Sequence, residues 1–221
     1  MSRARDMANL GAQAGSGFDA SDLTAGTLGN TVQDNITRLG AVTTGSIGSA
    51  VTGFTGVKTV DVWQLNADLA GTHQPIQAGK WTRGSTSSGA ANLGTGVTLN
   101  GTGTDDGIFT LPSTGLWRVE IKFDFYLNNS ARYLFTEIMV STSGTSGTYN
   151  AKSLGKAYIN RTDSNSTHTS SYDTVVLDVT TAGTSGTAIK VDISDAQGTT
   201  TTNGSTTSMQ SYLVFSRLGD T

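Results

Sequence analysis

Residues Trp117 to Leu127 alternate without a break. Trp117, Val119, Ile121, Phe123, Phe125 and Leu127 fall on one side, and Arg118, Glu120, Lys122, Asp124 and Tyr126 on the other. Neighbouring side chains of an extended chain point to opposite faces, so this pattern is a half-buried β-strand. At ~3.4 Å per residue it spans roughly 35 Å, which makes it a central strand of the core. Just upstream, Ile108 to Leu111 reads as a short strand. Pro112 ends it, because proline fixes φ and has no N–H to give a ladder. Gly115 supplies the positive φ that the turn needs.

Composition extends this reading to the whole chain. Glycine makes up 28 of 221 residues, about twice the usual ~7%. Serine and threonine are plentiful, and charged residues are 14% against the usual ~25%. Many strands joined by many turns fit this better than disorder, which usually brings high net charge. The net charge of -3 argues against a general nucleic-acid binder, which needs a basic footprint. With no cysteine, neither a disulfide framework nor a thiolate metal site can form, which fits assembly in a reducing cytoplasm. The start, Met1-Ser2-Arg3-Ala4-Arg5-Asp6, is followed by no apolar core and does not read as a signal peptide. No run approaches the ~18 apolar residues of a membrane-spanning helix. The expectation is a soluble protein, made without export through a signal peptide and not inserted in a membrane.

Three regions follow in order: 1–22 an anchor and linker, 23–56 a short-repeat shaft, 57–221 a head. Residues 2–10 suit a short helix with Ser2 as N-cap and Gly11 just past its end. It is either a docking peptide, with Arg3, Arg5, Met7 and Leu10 as its anchors, or a frayed terminus. Residues 23–32 and 42–51 repeat one another, Leu-Thr-Ala-Gly-Thr-Leu-Gly against Val-Thr-Thr-Gly-Ser-Ile-Gly. Two copies cannot bury a core alone, so copies in other chains are expected to complete it. Val32, Ile36 and Leu39 fall at helical spacing between the copies. They form either a short helix facing the axis of an oligomer or part of an extended shaft.

In the head, strands are expected at 58–65, 80–83, 96–100, 132–141, 153–160, 169–179, 187–194 and 209–218, with a flexible loop from Gly84 to Gly96. Strand 132–141 is apolar on both faces. That predicts burial on both, with a partner chain over Tyr133, Phe135 and Met139. About eight to ten strands and no strong helix make an all-β sandwich, jelly roll or barrel.

Gly107-Ile108-Phe109-Thr110-Leu111-Pro112-Ser113-Thr114-Gly115-Leu116-Trp117 resembles the Gly-x-Phe-Thr-x-Pro-x-x-Gly-x-aromatic signature of complement and tumour-necrosis-factor-like heads. Ser208 to Phe215 is similar to that family's last strand. The resemblance implies a ten-stranded jelly roll that trimerises at the end of a fibrous stalk, over about 57–221. The front end is similar to bacteriophage fibre proteins, through Asp22 to Leu28, Asn35 to Gly40 and the Ser-Arg-Ala-Arg-Asp-Met-Ala-Asn-Leu start.

Catalytic and metal chemistry is thin. The only glutamates, Glu120 and Glu137, sit mid-strand and read as solvated charge rather than as a glycosidase pair. Asp105-Asp106 reads as a solvated turn, with Ca²⁺ the alternative. His73 and His168 lack zinc spacing. No nucleophile elbow occurs. No cofactor is expected, and the chain does not read as an enzyme.

Counting antiparallel strands places the loops 128–131, 161–168 and 196–207 at the end away from the stalk. They carry Asn128, Asn129, Arg132, Arg161, Asp163, Asn165, His168, Gln197 and Asn203. These side chains suit hydrogen bonding to sugars; plain solvated turns are the alternative. The expectation is a homotrimeric structural fibre of a phage virion. It docks to another virion protein through residues 1–22 and presents its head to a host polysaccharide or protein. A capsid-decorating or head fibre without a receptor, and a glycan-cleaving enzyme, are the alternatives.

Overall fold

A computed structural model describes residues 57–161, 165–194, 196 and 198–221, except for the side chain of Arg132. The proposed anchors Arg3, Arg5, Met7 and Leu10, the shaft residues Val32, Ile36 and Leu39, and the loop residues Asp163 and Gln197 lie outside the described residues.

The described chain is built of strands. They are β1 (Thr59–Leu65), β2 (Leu69–Ala70), β3 (Trp81–Arg83), β4 (Thr98–Asn100), β5 (Ile108–Thr110), β6 (Gly115–Leu127), β7 (Ala131–Ser141), β8 (Asn150–Ile159), β9 (Thr167–Val179), β10 (Ala188–Ser194), β11 (Thr201–Thr202) and β12 (Tyr212–Gly219). They form two antiparallel sheets. In the seven-stranded sheet β6 is central. β9 pairs one side of it over its whole length, and β12 and then β11 share the other. β1 and β3 lie beyond β12, and β2 beyond β11. The five-stranded sheet runs β4-β5-β10-β7-β8. Sequential strands cross repeatedly from one sheet to the other, as in a jelly roll.

The alternating apolar face of β6 is the floor of the core: Trp117, Val119, Ile121, Phe123, Phe125 and Leu127 are all buried. Phe109, from the opposite sheet, fills the middle. Its ring lies 5.4 Å from Trp63, 5.5 Å from Trp81 and 5.3 Å from Phe215. The contacts with both tryptophans are edge-on, the geometry that aromatic quadrupoles favour. Gly115 opens β6 at φ 122°. A Cβ there would lie 2.3 Å from the Gly219 carbonyl oxygen, so the turn tolerates no side chain.

The stretch Gly84 to Gly96, read above as a flexible loop, is instead tied to β1. Val60 and Leu93 exchange backbone hydrogen bonds of 3.0 and 2.8 Å, and the Asn92 side chain accepts the Val62 N–H at 2.9 Å. Beneath it, Asp61 is fully buried yet satisfied. It accepts hydrogen bonds from Arg83 Nε at 2.6 Å, the Val97 N–H at 2.7 Å and Trp63 Nε1 at 3.1 Å. A buried carboxylate with three donors avoids the cost of lone desolvation.

Register fixes two ends. Thr59 pairs Arg217, Gly115 pairs Val179 and Leu116 pairs Gly219. The described chain therefore begins and finishes at one end, the base, where Lys58 Nζ lies 3.4 Å from Asp220 Oδ2. Loops 142–149 and 180–187 join each other there, with the Thr145 N–H donating to the Thr184 carbonyl at 2.9 Å. The β6–β7, β8–β9 and β10–β11 connections lie at the opposite end, the apex.

Candidate functional site

The apex is held together by Asp124. This residue sits where β6 changes partner: Lys122 pairs with β12, and Phe125 with β11. At the gap the Asp124 N–H donates to Ser211 Oγ at 3.0 Å, and its carbonyl accepts the Asn203 N–H at 2.8 Å. The carboxylate also faces outward onto three neighbours. Asn203 Nδ2 donates to Oδ2 at 2.6 Å, and Ser170 Oγ donates to Oδ1 at 3.2 Å. His168 Nδ1 lies 3.8 Å from Oδ2, too far for a hydrogen bond. The His168 ring rests on Tyr126, centroid to centroid 5.4 Å. The Arg161 N–H donates to Ser130 Oγ at 3.1 Å, tying the β8–β9 loop to the β6–β7 loop.

Of the apical residues singled out above, His168 and Asn203 thus gather around Asp124, and Asn203 works as a loop fastener. Asn128, Asn129, Arg161 and Asn165 are exposed at the same end. Arg132 is the second residue of β7, at the same end. Asp124, Tyr126 and Ser170 were not singled out. Asp124 and Tyr126 read as the solvated side of the long strand, and only the change from β12 to β11 reveals the role of Asp124.

Several other titratable groups are engaged elsewhere. Glu120 accepts the Tyr172 hydroxyl and pairs with Arg118 at 2.8 Å. That hydrogen bond raises the Tyr172 pKa. Glu137 stands opposite Asp192 on the other sheet. The two glutamates therefore occupy different sheets. Asp105 closes its own turn through the Thr102 N–H at 3.0 Å, and Asp106 pairs with Lys190 at 2.7 Å. Burial lowers the His73 pKa. No group of three metal-ligating side chains occurs among the described residues.

Tyr133, Phe135 and Met139 lie on the outer face of the five-stranded sheet, alternating with the buried Leu134 and Ile138. Within one chain that face is only partly covered, and Tyr133 remains 46% exposed.

No family model matches the chain, and no curated protein matches it. Among solved structures, the Eiger TNF of S. frugiperda superimposes with a TM-score of 0.51 at 13% identity, over 73% of this chain and 93% of its own. The fold is a TNF-like jelly roll. Murine APRIL, solved at pH 8.5 and at pH 5.0, gives TM-scores of 0.46 and 0.47 at 14% and 13% identity, over 72% of this chain and 98% of its own. At such identities the likeness is one of fold. The TNF-like jelly roll places the Asp124 cluster and the exposed apical amides at the end opposite its two termini.

Proposed function

We propose that this chain is a structural fibre protein of a bacteriophage virion. Residues 1–22 anchor it to another virion protein, 23–56 form the shaft, and the TNF-like jelly roll is a homotrimeric head that attaches to the host surface. The two-ended geometry carries this reading. Both ends of the described chain lie at the base, while polar loops converge at the apex on Asp124. A fibre head needs that separation between attachment and display. The fibre-like repeats at the front of the chain give the phage assignment its support, and the jelly-roll fold supports the head.

We place the chain-to-chain contact on the outer face of the seven-stranded sheet, rather than over Tyr133, Phe135 and Met139 as the two-faced apolar pattern of 132–141 suggests. Tyr172 and Val176 are 57% and 56% exposed there. Beside them β6 carries Arg118, Glu120, Lys122 and Asp124 in alternating sign. A face with both signs and uncovered apolar groups can meet a copy of itself.

Gold-labelled antibody against residues 57–221, viewed on virions by electron microscopy, is expected to mark the free end of a fibre. Purified chain added to host cells is expected to block adsorption. Label on the capsid shell together with unimpaired adsorption would favour a decorating role instead.

A further inference from the structure

The outer corner of the five-stranded sheet carries an aromatic cluster that the loop reading leaves unused. β7 and β8 slip in register there: Ala131 pairs Ile159 and Leu134 pairs Ala157, so two residues of β7 oppose Tyr158 alone. Such a bulge re-aims side chains and recurs beside binding sites. Tyr158 is 71% exposed. On the same face Tyr133 stacks on Phe135 at 5.1 Å, and Lys156 Nζ stands 5.4 Å from the Phe135 centroid. Isolated exposed apolar residues need no explanation, but three aromatic side chains on one face, two of them stacked, do.

Basic residues gather at this corner, with Glu137 the next outward position along β7 after Phe135. In a chain of net charge -3, stretches 128–136 and 155–161 contain Arg132, Lys156 and Arg161 and no carboxylate. Lys156 has no ion-pair partner among the described residues. The rim supplies the amides of Asn128 and Asn129, both exposed. A pyranose ring has an apolar C–H face and a hydroxyl edge. Tyrosine rings match the first, and amides and phenolic hydroxyls match the second. A fixed cation adds preference for a sugar bearing a carboxylate. A second copy of the chain fits less well, because the edge strand β8 exposes Lys152 and Lys156, which oppose strand-to-strand pairing.

We propose that Tyr133, Phe135, Tyr158 and Lys156 form a binding platform for an acidic oligosaccharide, with the sugar ring stacked on the tyrosines and its carboxylate at Lys156. This deepens the attachment reading above and rests on it.

The test uses the full chain on an array of immobilised oligosaccharides containing glucuronic acid, galacturonic acid or N-acetylneuraminic acid, with neutral glucose, galactose and N-acetylglucosamine counterparts. Acidic members are expected to be captured at least tenfold more strongly than neutral ones. Tyr158→Ala and Tyr133→Ala are each expected to lower capture at least tenfold, and Lys156→Ala to erase the acidic preference. Light scattering on the same variants is expected to show an unchanged mass. No capture by the unaltered chain, equal capture of neutral sugars, or capture indifferent to both tyrosine substitutions would overturn the platform. Loss of the oligomer in Tyr158→Ala would also overturn it, by making the corner a chain-to-chain contact. The adsorption assay separates the two readings. If Tyr158→Ala chain still blocks adsorption, attachment stands without this platform. If unaltered chain fails to block it, attachment falls while the array still decides the platform.

Discussion

Asp192 and Glu137 face one another across β10 and β7. Burial pushes the Asp192 carboxyl up to about 6; the charges of Glu137 and Asp106 add to that, and Lys190 opposes them. Lys190 is itself held by Asp106 and lies 4.3 Å over the Tyr149 ring. The unfolded carboxyl titrates near 3.8, so the folded chain holds this proton more tightly. Its contribution to stability is full below that pH and is lost as pH rises through about 6. Asp192→Asn is therefore expected to raise the melting temperature at pH 7.5 by about 2 °C or more, with the gain vanishing by pH 4. Thermal melts at the two pH values check this, and an equal gain at both would remove the ionisation of the buried carboxyl as its cause. Asp61 is the contrast: more deeply buried, it is satisfied by Arg83, Val97 and Trp63. Nothing in the sequence separates these two aspartates, because each is simply a polar residue within an apolar strand. Their difference arises from what the fold sets opposite them.

At the scale of elements, polar contacts from β7 and β8 to β9 mark the middle of the seam between the sheets. Thr136 Oγ1 and Ser171 Oγ are 2.7 Å apart, and the Ser153 hydroxyl donates to Asp173. Gly155 lies between them, and a Cβ there would meet Ser171 Oγ at 2.4 Å and Thr136 Oγ1 at 2.5 Å. Gly155→Val should therefore cost about 1–3 kcal/mol, the usual range for overpacking, read as a lower urea midpoint. An unchanged midpoint would mean that the seam has slack. The strands β6 and β10 were legible because period-two alternation reports a half-buried face directly; β7, apolar on both faces, reads as doubly buried, yet Tyr133 on its outer face stays exposed in the single chain. β2 and β11, two residues each, carry no pattern long enough to read. The last strand begins at Tyr212 rather than Met209, because Ser211 turns its hydroxyl to the Asp124 N–H. The apical position of the loops was legible too, since counting antiparallel strands fixes which end each connection occupies. The exposure of Tyr158 was not, because it depends on a slip in register at Ala131–Leu134 that no composition signals.

At the scale of the molecule, the uncovered face around Tyr172 and Val176 sets the expected association. In light scattering the purified chain should give three times its 22.8 kDa chain mass, and Val176→Glu should reduce it to one. A single-chain mass for the unaltered protein would count against the trimeric head.

The shared base has a mechanical consequence. Load entering at the apical loops and leaving at Val57 runs lengthwise through β6 and its neighbours. In antiparallel sheets the inter-strand hydrogen bonds lie across the strands. Such a load shears them together instead of peeling them apart one at a time. A jelly roll pulled between its apical loops and Val57 is therefore gripped along its strongest direction, and Asp220, clasped beside Lys58, stays out of the path of the force.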